Sequence, residues 1–160
     1  MKRVCKNLES ADLKRATLKS ADLEQANLEE ANLKNANLHK ANLQDVCLLR
    51  ANMKDAGLEQ ADLEGARFNS ANMQKVCLHN ARMREAHLRF ADLQNANLDQ
   101  TNLRGATLRL ADLRGIVIEQ VIVDKDVKVV FSKAPNYLKN YYGKNIKLMT
   151  IIRKKEKNFK

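Results

Sequence analysis

The 160 residues hold 29 Lys/Arg against 19 Asp/Glu, a formal charge of +10, and include no tryptophan and only 4% aromatic residues. That balance points away from mimicry of an acidic polymer and towards an acidic partner or plain solubility, and any core has to be aliphatic. Cys5, Cys47 and Cys77 make no CxxC pair and leave one thiol over, so a reducing compartment is expected rather than a disulfide framework.

Residues 1–5 read as a short lead-in, with Val4 and Cys5 available to cover the first coil of the repeat that begins at residue 6. Positive charge at Lys2 and Arg3 has no apolar run behind it, so no Sec-type signal peptide is expected. No later stretch approaches transmembrane length.

From residue 6 to 115 a five-residue unit, Ala-(Asp/Asn)-Leu-x-x, repeats 22 times without insertion or deletion, as in Ala21-Asp22-Leu23-Glu24-Gln25. On an α-helix a step of five advances about 140° past a full turn and winds the leucines around every side. On a flat strand an odd period throws them alternately to both faces. A chain that turns by about 90° per unit points every leucine inward, so four units close a 20-residue coil, and coils stack about 4.8 Å apart. Five and a half coils predict a rod of about 26 Å.

The inward column is Leu8 to Leu113 in steps of five, interrupted only by Met53, Phe68, Met73 and Met83. The alanine two residues earlier gives way at Lys6, Val46, Val76 and Thr101, and a larger residue there is expected to strain a narrow interior. Asn or Asp fills the second position in 14 of 22 units, where a short polar side chain can cap the following turn. The departures are Thr17, Cys47, Gly57, Arg67, Cys77, Arg82, His87 and Thr107; Gly65, Gly105 and Gly115 fall at turns.

Residues 116–125 keep the phase without the Ala and Asn/Asp signature and read as a last, degraded pair of units. This gives a rod over 1–125 and a second segment over 126–160. Charge divides the same way: residues 124–160 hold 11 Lys/Arg and 3 Asp/Glu, whereas residues 1–123 hold 18 and 16. An open β-helix end needs covering, and the C-terminal segment can supply it. Tyr137, Leu138, Tyr141 and Tyr142 fall on one helical face after Pro135 and are the candidates for a cap or a homodimer contact. The last eight residues, Arg153 to Lys160, read as a solvated basic end.

The Ala-(Asp/Asn)-Leu-x-x units resemble the pentapeptide repeat family over about two-thirds of the chain. The resemblance implies an all-β fold, a right-handed quadrilateral β-helix, and a bacterial cytoplasmic protein, with export as an effector the alternative. Some members resemble DNA in shape and charge and protect type II topoisomerases from quinolones, through an acidic surface and usually a C-terminal dimerising module. A near-neutral rod with a basic tail departs from that pattern.

No Gly-rich phosphate loop, GxSxG, HExxH or paired CxxC occurs, so no enzyme and no cofactor is expected. His39, Glu59 and His79 share one outward column, with Cys77 two residues before His79. That column also holds Lys19 and Asp99, and an ordinary polar surface is the preferred reading over a metal site. Lys14, Lys34 and Lys54 line another face among Asp12, Asn32, Asn52 and Asp55, read as cross-strand charge balancing. The richer surface comes later. Arg67, His87, Arg89 and Arg109 share one face, Phe90 and Leu110 stack at its trailing corner, and Arg82, Arg84 and Arg104 occupy the preceding face. An exposed aromatic among arginines suits a protein partner, with nucleic acid or an anionic membrane as alternatives.

Overall fold

The computed structural model describes residues 6–118 and 120–123. The cap and dimer candidates Tyr137, Leu138, Tyr141 and Tyr142 lie outside the described residues, as does Cys5.

Every unit takes the same path, and four hydrogen-bond types hold it, one running from the fifth residue's amide to the next coil, as Ser10 N–H does to Glu29 O at 2.8 Å. The first residue's amide closes a turn on the preceding inward residue, as Ala11 N–H donates to Leu8 O at 3.1 Å. The inward residue's amide donates to the next coil, as Leu8 N–H does to Asn27 O at 2.7 Å. Asn27 N–H returns the connection to Lys6 O at 2.9 Å. The result is twenty parallel bridges, each joining residue i to i+20, in four columns. Each unit contributes a single bridge residue, with turns on either side, so the sides are ladders of bridges rather than extended strands.

Each bridge column marks one side of a square coil. The first face carries Asn7, Asn27, Cys47, Arg67, His87 and Thr107; the second Asp12, Asn32, Asn52, Asn72, Asp92 and Asp112. The third carries Thr17, Asn37, Gly57, Cys77, Asn97 and Val117; the fourth Asp22, Asn42, Asp62, Arg82, Asn102 and Ile122. Val117 and Ile122 pair with Asn97 and Asn102, so the degraded units complete a sixth coil. Ile118, Val121 and Val123 are buried there.

The core is the expected pile of leucines, with Met53, Phe68, Met73 and Met83 fully enclosed among them. Burying each such side chain contributes about 1.5–3 kcal/mol against the entropy of ordering it. Leu8, Leu13 and Leu18, in the first coil, are only partly covered. Val46, Val76 and Thr101 are buried at the alanine position without any break in register. The turn bonds at Val46 and Val76, 3.3 and 3.2 Å, match that at Ala111, 3.3 Å, so the expected strain is absent from the backbone. Thr101 meets its own polar requirement by donating Oγ1–H to Leu78 O at 2.8 Å.

The fifth residue of every unit is left-handed. Nineteen of these are not glycine, Phe90 and Leu110 among them, with φ of 53–60°. That conformation costs roughly 1–2 kcal/mol for an L-residue, and the inter-coil bond from the same amide helps to offset it. Gly65 leaves room for its neighbour one coil earlier: a Cβ there would lie 2.2 Å from Asp45 Oδ1, and the carboxylate would have to turn aside.

Candidate functional site

In a regular unit the Asn or Asp side chain accepts from the backbone amide two residues on, as Asp12 Oδ1 does from Lys14 N–H at 3.2 Å. This satisfies an amide that the coil bonds leave over. Neighbouring side chains also join between coils, Asn32 Nδ2–H to Asp12 Oδ1 at 3.0 Å and Asn42 Nδ2–H to Asp22 Oδ1 at 3.2 Å. Where Arg or His replaces Asn/Asp, the local cap is lost and a different side chain projects instead, whereas the Cys77 sulfur still takes a hydrogen bond from the His79 backbone.

On the first face that exchange occupies coils three to six. Cys47, Arg67, His87 and Thr107 stand in the bridge column. Leu49, Asn69, Arg89 and Arg109 stand two residues later in each unit, and Arg50, Ser70, Phe90 and Leu110 form the trailing corner. Past Glu29 and Glu30 in the second coil, the described residues of this face include no carboxylate. Arg67, His87, Arg89 and Phe90 are exposed, as is Arg109.

Phe90 is 49% exposed, and the Arg89 guanidinium lies over its ring, 4.7 Å from the centroid. Such cation–π stacking is worth about 0.5–1 kcal/mol at an exposed site. Asn69 Oδ1 accepts from Arg89 N–H at 3.0 Å from the coil below, where His87 cannot provide the usual cap. The backbone under Arg89 is thus held by a substitute cap.

The other arginines divide the sequence-level cluster in two. Arg82 Nη1 lies 3.1 Å from Asp62 Oδ2 and its Nη2 3.2 Å from Glu64 Oε2; Arg84 Nε lies 4.0 Å from Glu64 Oε1. Arg50 bridges Glu29 at 2.5 Å and Glu30 at 2.9 Å. Its pKa is raised above the ordinary value, first by the hydrogen bond to Glu30 and then by the charge of Glu29. Arg114 pairs with Asp112 at 2.6 Å. Among the described residues, Arg67, Arg89, Arg104 and Arg109 have no acidic partner within 4.0 Å. Arg82 and Arg84 therefore belong to an internal ion-pair ladder, which the spacing of twenty from Asp62 and Glu64 already encodes.

A family model for pentapeptide repeats matches eight copies over residues 11–49, 47–84 and 81–120. This chain is a pentapeptide repeat protein. Membership implies the right-handed quadrilateral β-helix, in keeping with the four columns and the step of twenty. Similar solved structures include a pentapeptide repeat protein from the Arabidopsis thaliana thylakoid lumen, at 27% identity over 72% of this chain and 70% of that one, TM-score 0.39. HetL of Nostoc sp. strain PCC 7120, involved in heterocyst differentiation regulation, matches at 27% identity over 76% and 71%, TM-score 0.25. QnrB1, a plasmid-mediated fluoroquinolone resistance protein, matches at 18% identity over 74% and 77%, TM-score 0.30. With scores this low the superpositions add nothing to the bridge pattern. No curated protein matches the chain.

The third face of this pentapeptide repeat protein brings His39, Glu59 and His79 into one open groove, floored by Asn37 and Gly57. Gly57 makes the notch: Glu59 Oε2 lies 2.9 Å from where its Cβ would be. His79 Nδ1 is 3.5 Å from Asp99 and its Nε2 3.1 Å from Asn80 Nδ2, so both ring nitrogens are already engaged. Burial pushes the Cys77 thiol up, with Glu59 beside it adding to the effect. No three His, Cys, Asp or Glu among the described residues converge to hold a metal ion. Cys47 and Cys77 are free thiols on different faces. Lys14, Lys34 and Lys54 make no ion pair within 4.0 Å among the described residues. Asp12 accepts from Lys14 N–H and from Asn32 Nδ2–H.

Proposed function

We propose that this protein is a non-enzymatic scaffold that presents the first face of coils four to six to another protein. The supporting observation is the pairing of an exposed Phe90 with a guanidinium stacked on it, on a face with three unpaired arginines and no carboxylate. Aromatic and arginine side chains dominate binding energy at protein interfaces, and a stacked pair loses little freedom when a partner arrives. The rigid coil stack holds these groups in fixed register.

The decisive variant is Phe90→Asp with Arg89→Glu, tested by affinity capture of partners with full-length protein. Capture should be lost while the far-ultraviolet circular dichroism of the rod is unchanged. Retained capture would sink the proposal. An acidic, DNA-like surface is not what these coils offer, and a nucleic-acid role loses Arg82 and Arg84, which are neutralised in place.

A further inference from the structure

We infer that the partner supplies an acidic protein segment, with at least two carboxylates for the arginines and an apolar side chain for the Phe90–Leu110 corner. This rests on the proposed interaction role and goes further by naming the chemistry of the other side.

Four observations carry it. The first is a contrast within the molecule. Arg50, Arg82, Arg84 and Arg114 each sit with an Asp or Glu within 4.0 Å. Arg67, Arg89 and Arg109 do not, because among the described residues the first face has no acid from the third coil onward. Arg89 and Arg109 also occupy the same column on successive coils, about 4.8 Å apart along the axis. Like charges placed directly opposite each other across a ladder are destabilising. An anion lying between them removes that repulsion, so a carboxylate has a site prepared on this face.

The second concerns geometry. With the Phe90 ring covering one flat side of the Arg89 guanidinium, the in-plane N–H edges remain available. Those edges match a carboxylate in two parallel hydrogen bonds, a geometry that lysine cannot copy. Phe90 and Leu110, stacked at the corner, add an apolar contact beside the charged one.

The third excludes one mode of docking. The backbone of this face is engaged from coil to coil: Phe68 N–H donates to His87 O at 2.7 Å, Leu88 N–H to Thr107 O at 2.8 Å and Phe90 N–H to Arg109 O at 3.0 Å. A partner cannot add as a strand here. Recognition passes through side chains, so charge and the apolar corner set specificity.

The fourth separates a protein segment from a nucleic acid. The unpaired patch spans only three coils and has acids beside it on one side, whereas Arg82, Arg84 and Arg104 line the fourth face on the other. Asp92 and Asp112 stand on the second face, and Asp62 and Glu64 on the fourth are taken up by Arg82 and Arg84. With three unpaired arginines on this face and Arg104 on the next, these coils offer fewer free guanidinium groups than the roughly 6–10 phosphate contacts of a strongly salt-dependent nucleic-acid site. A short acidic segment ends where the arginines end.

The test uses full-length protein and fluorescein-labelled short peptides with carboxylates at alternating positions and one Leu or Phe. Matched peptides carry Asn and Gln instead, and a single-stranded DNA oligonucleotide is the third probe. Acidic peptides should bind roughly tenfold or more tightly than their neutral partners, with affinity falling as salt rises. Arg89→Gln with Arg109→Gln should abolish that preference, whereas Arg50→Gln, on the same face but already ion-paired, should leave it intact. Equal binding of acidic and neutral peptides overturns the inference, as does equal loss in the Arg50 variant. Tighter binding of the oligonucleotide, lost in the same double variant, replaces it with a nucleic-acid partner. If no acidic peptide binds but partner capture still depends on Arg89 and Phe90, the scaffold role stands and the acidic segment is wrong.

Discussion

The first and second faces of the rod share one backbone path and one kind of core, yet their outer surfaces differ at the residue that caps each turn. On the second face Asp12, Asn32, Asn52, Asn72, Asp92 and Asp112 all accept from the amide two residues on, at 3.1–3.3 Å. On the first face only Asn7 and Asn27 do so. From Cys47 upward the local cap is gone, and one replacement, Asn69 to Arg89, comes from the coil below. Each lost cap forgoes a hydrogen bond with a net value of about 0.5–1.5 kcal/mol. The rod tolerates this because the inner column continues unchanged beneath it. Stability therefore resides mostly inside, leaving the outer ladder open to exchange for binding groups.

That division can be broken at several levels. Truncating the inner residue should hurt both faces alike: Phe68→Ala by about 3–5 kcal/mol and Met73→Ala by about 2–5 kcal/mol in denaturant unfolding. A much smaller loss at Phe68 would mean that the first face is already loosened within. Next in size, Asn72→Ala should cost about 1 kcal/mol in the same assay, while His87→Ala, which removes no cap, should cost far less. Equal losses would remove the contrast between the faces. Restoring the motif with Thr107→Asn, in a unit where no substitute cap holds the Arg109 amide, should raise stability by about 0.5–1 kcal/mol, read as a higher denaturation midpoint. The smallest effect is expected at the corner. Leu110→Gly relieves a left-handed penalty of roughly 1–2 kcal/mol but adds about 0.5–1 kcal/mol of unfolded-chain freedom and gives up the half-buried side chain, so a net change of about 0–1 kcal/mol should appear.

The fold was legible because a period of five with no slippage admits one arrangement that buries every leucine. The same ruler placed Arg67, His87, Arg89 and Arg109 on one face and Phe90 and Leu110 at its corner, as the bridge columns have them. Which arginines are free was harder to read. Arg82 and Arg84 look equivalent to Arg89 in composition, but the residues twenty before them are Asp62 and Glu64, whereas the residue twenty before Arg89 is Asn69. That signal was present and requires reading across coils rather than along them. The Asn69 cap, the stacking of Arg89 on Phe90 and the Glu59 carboxylate folded over Gly57 depend on rotamers, which no periodicity encodes. In the lysine column the same holds for Asp12, whose bond to the Lys14 amide is a local contact and not an ion pair.

The step of twenty has a consequence for how such a chain can change its length. Removing residues 26–45 takes out one whole coil; it shortens the rod and leaves Arg67, His87 and Thr107 in one line over Asn7. Removing only 26–30 keeps the repeat perfect to the eye but turns everything after it by a quarter, so the Arg67 column would then stand in line with Asp22 instead of Asn7. Both deletions preserve the core pattern, and only the first preserves the surface. The unit of folding is five residues; the unit of inheritance for a binding face is twenty.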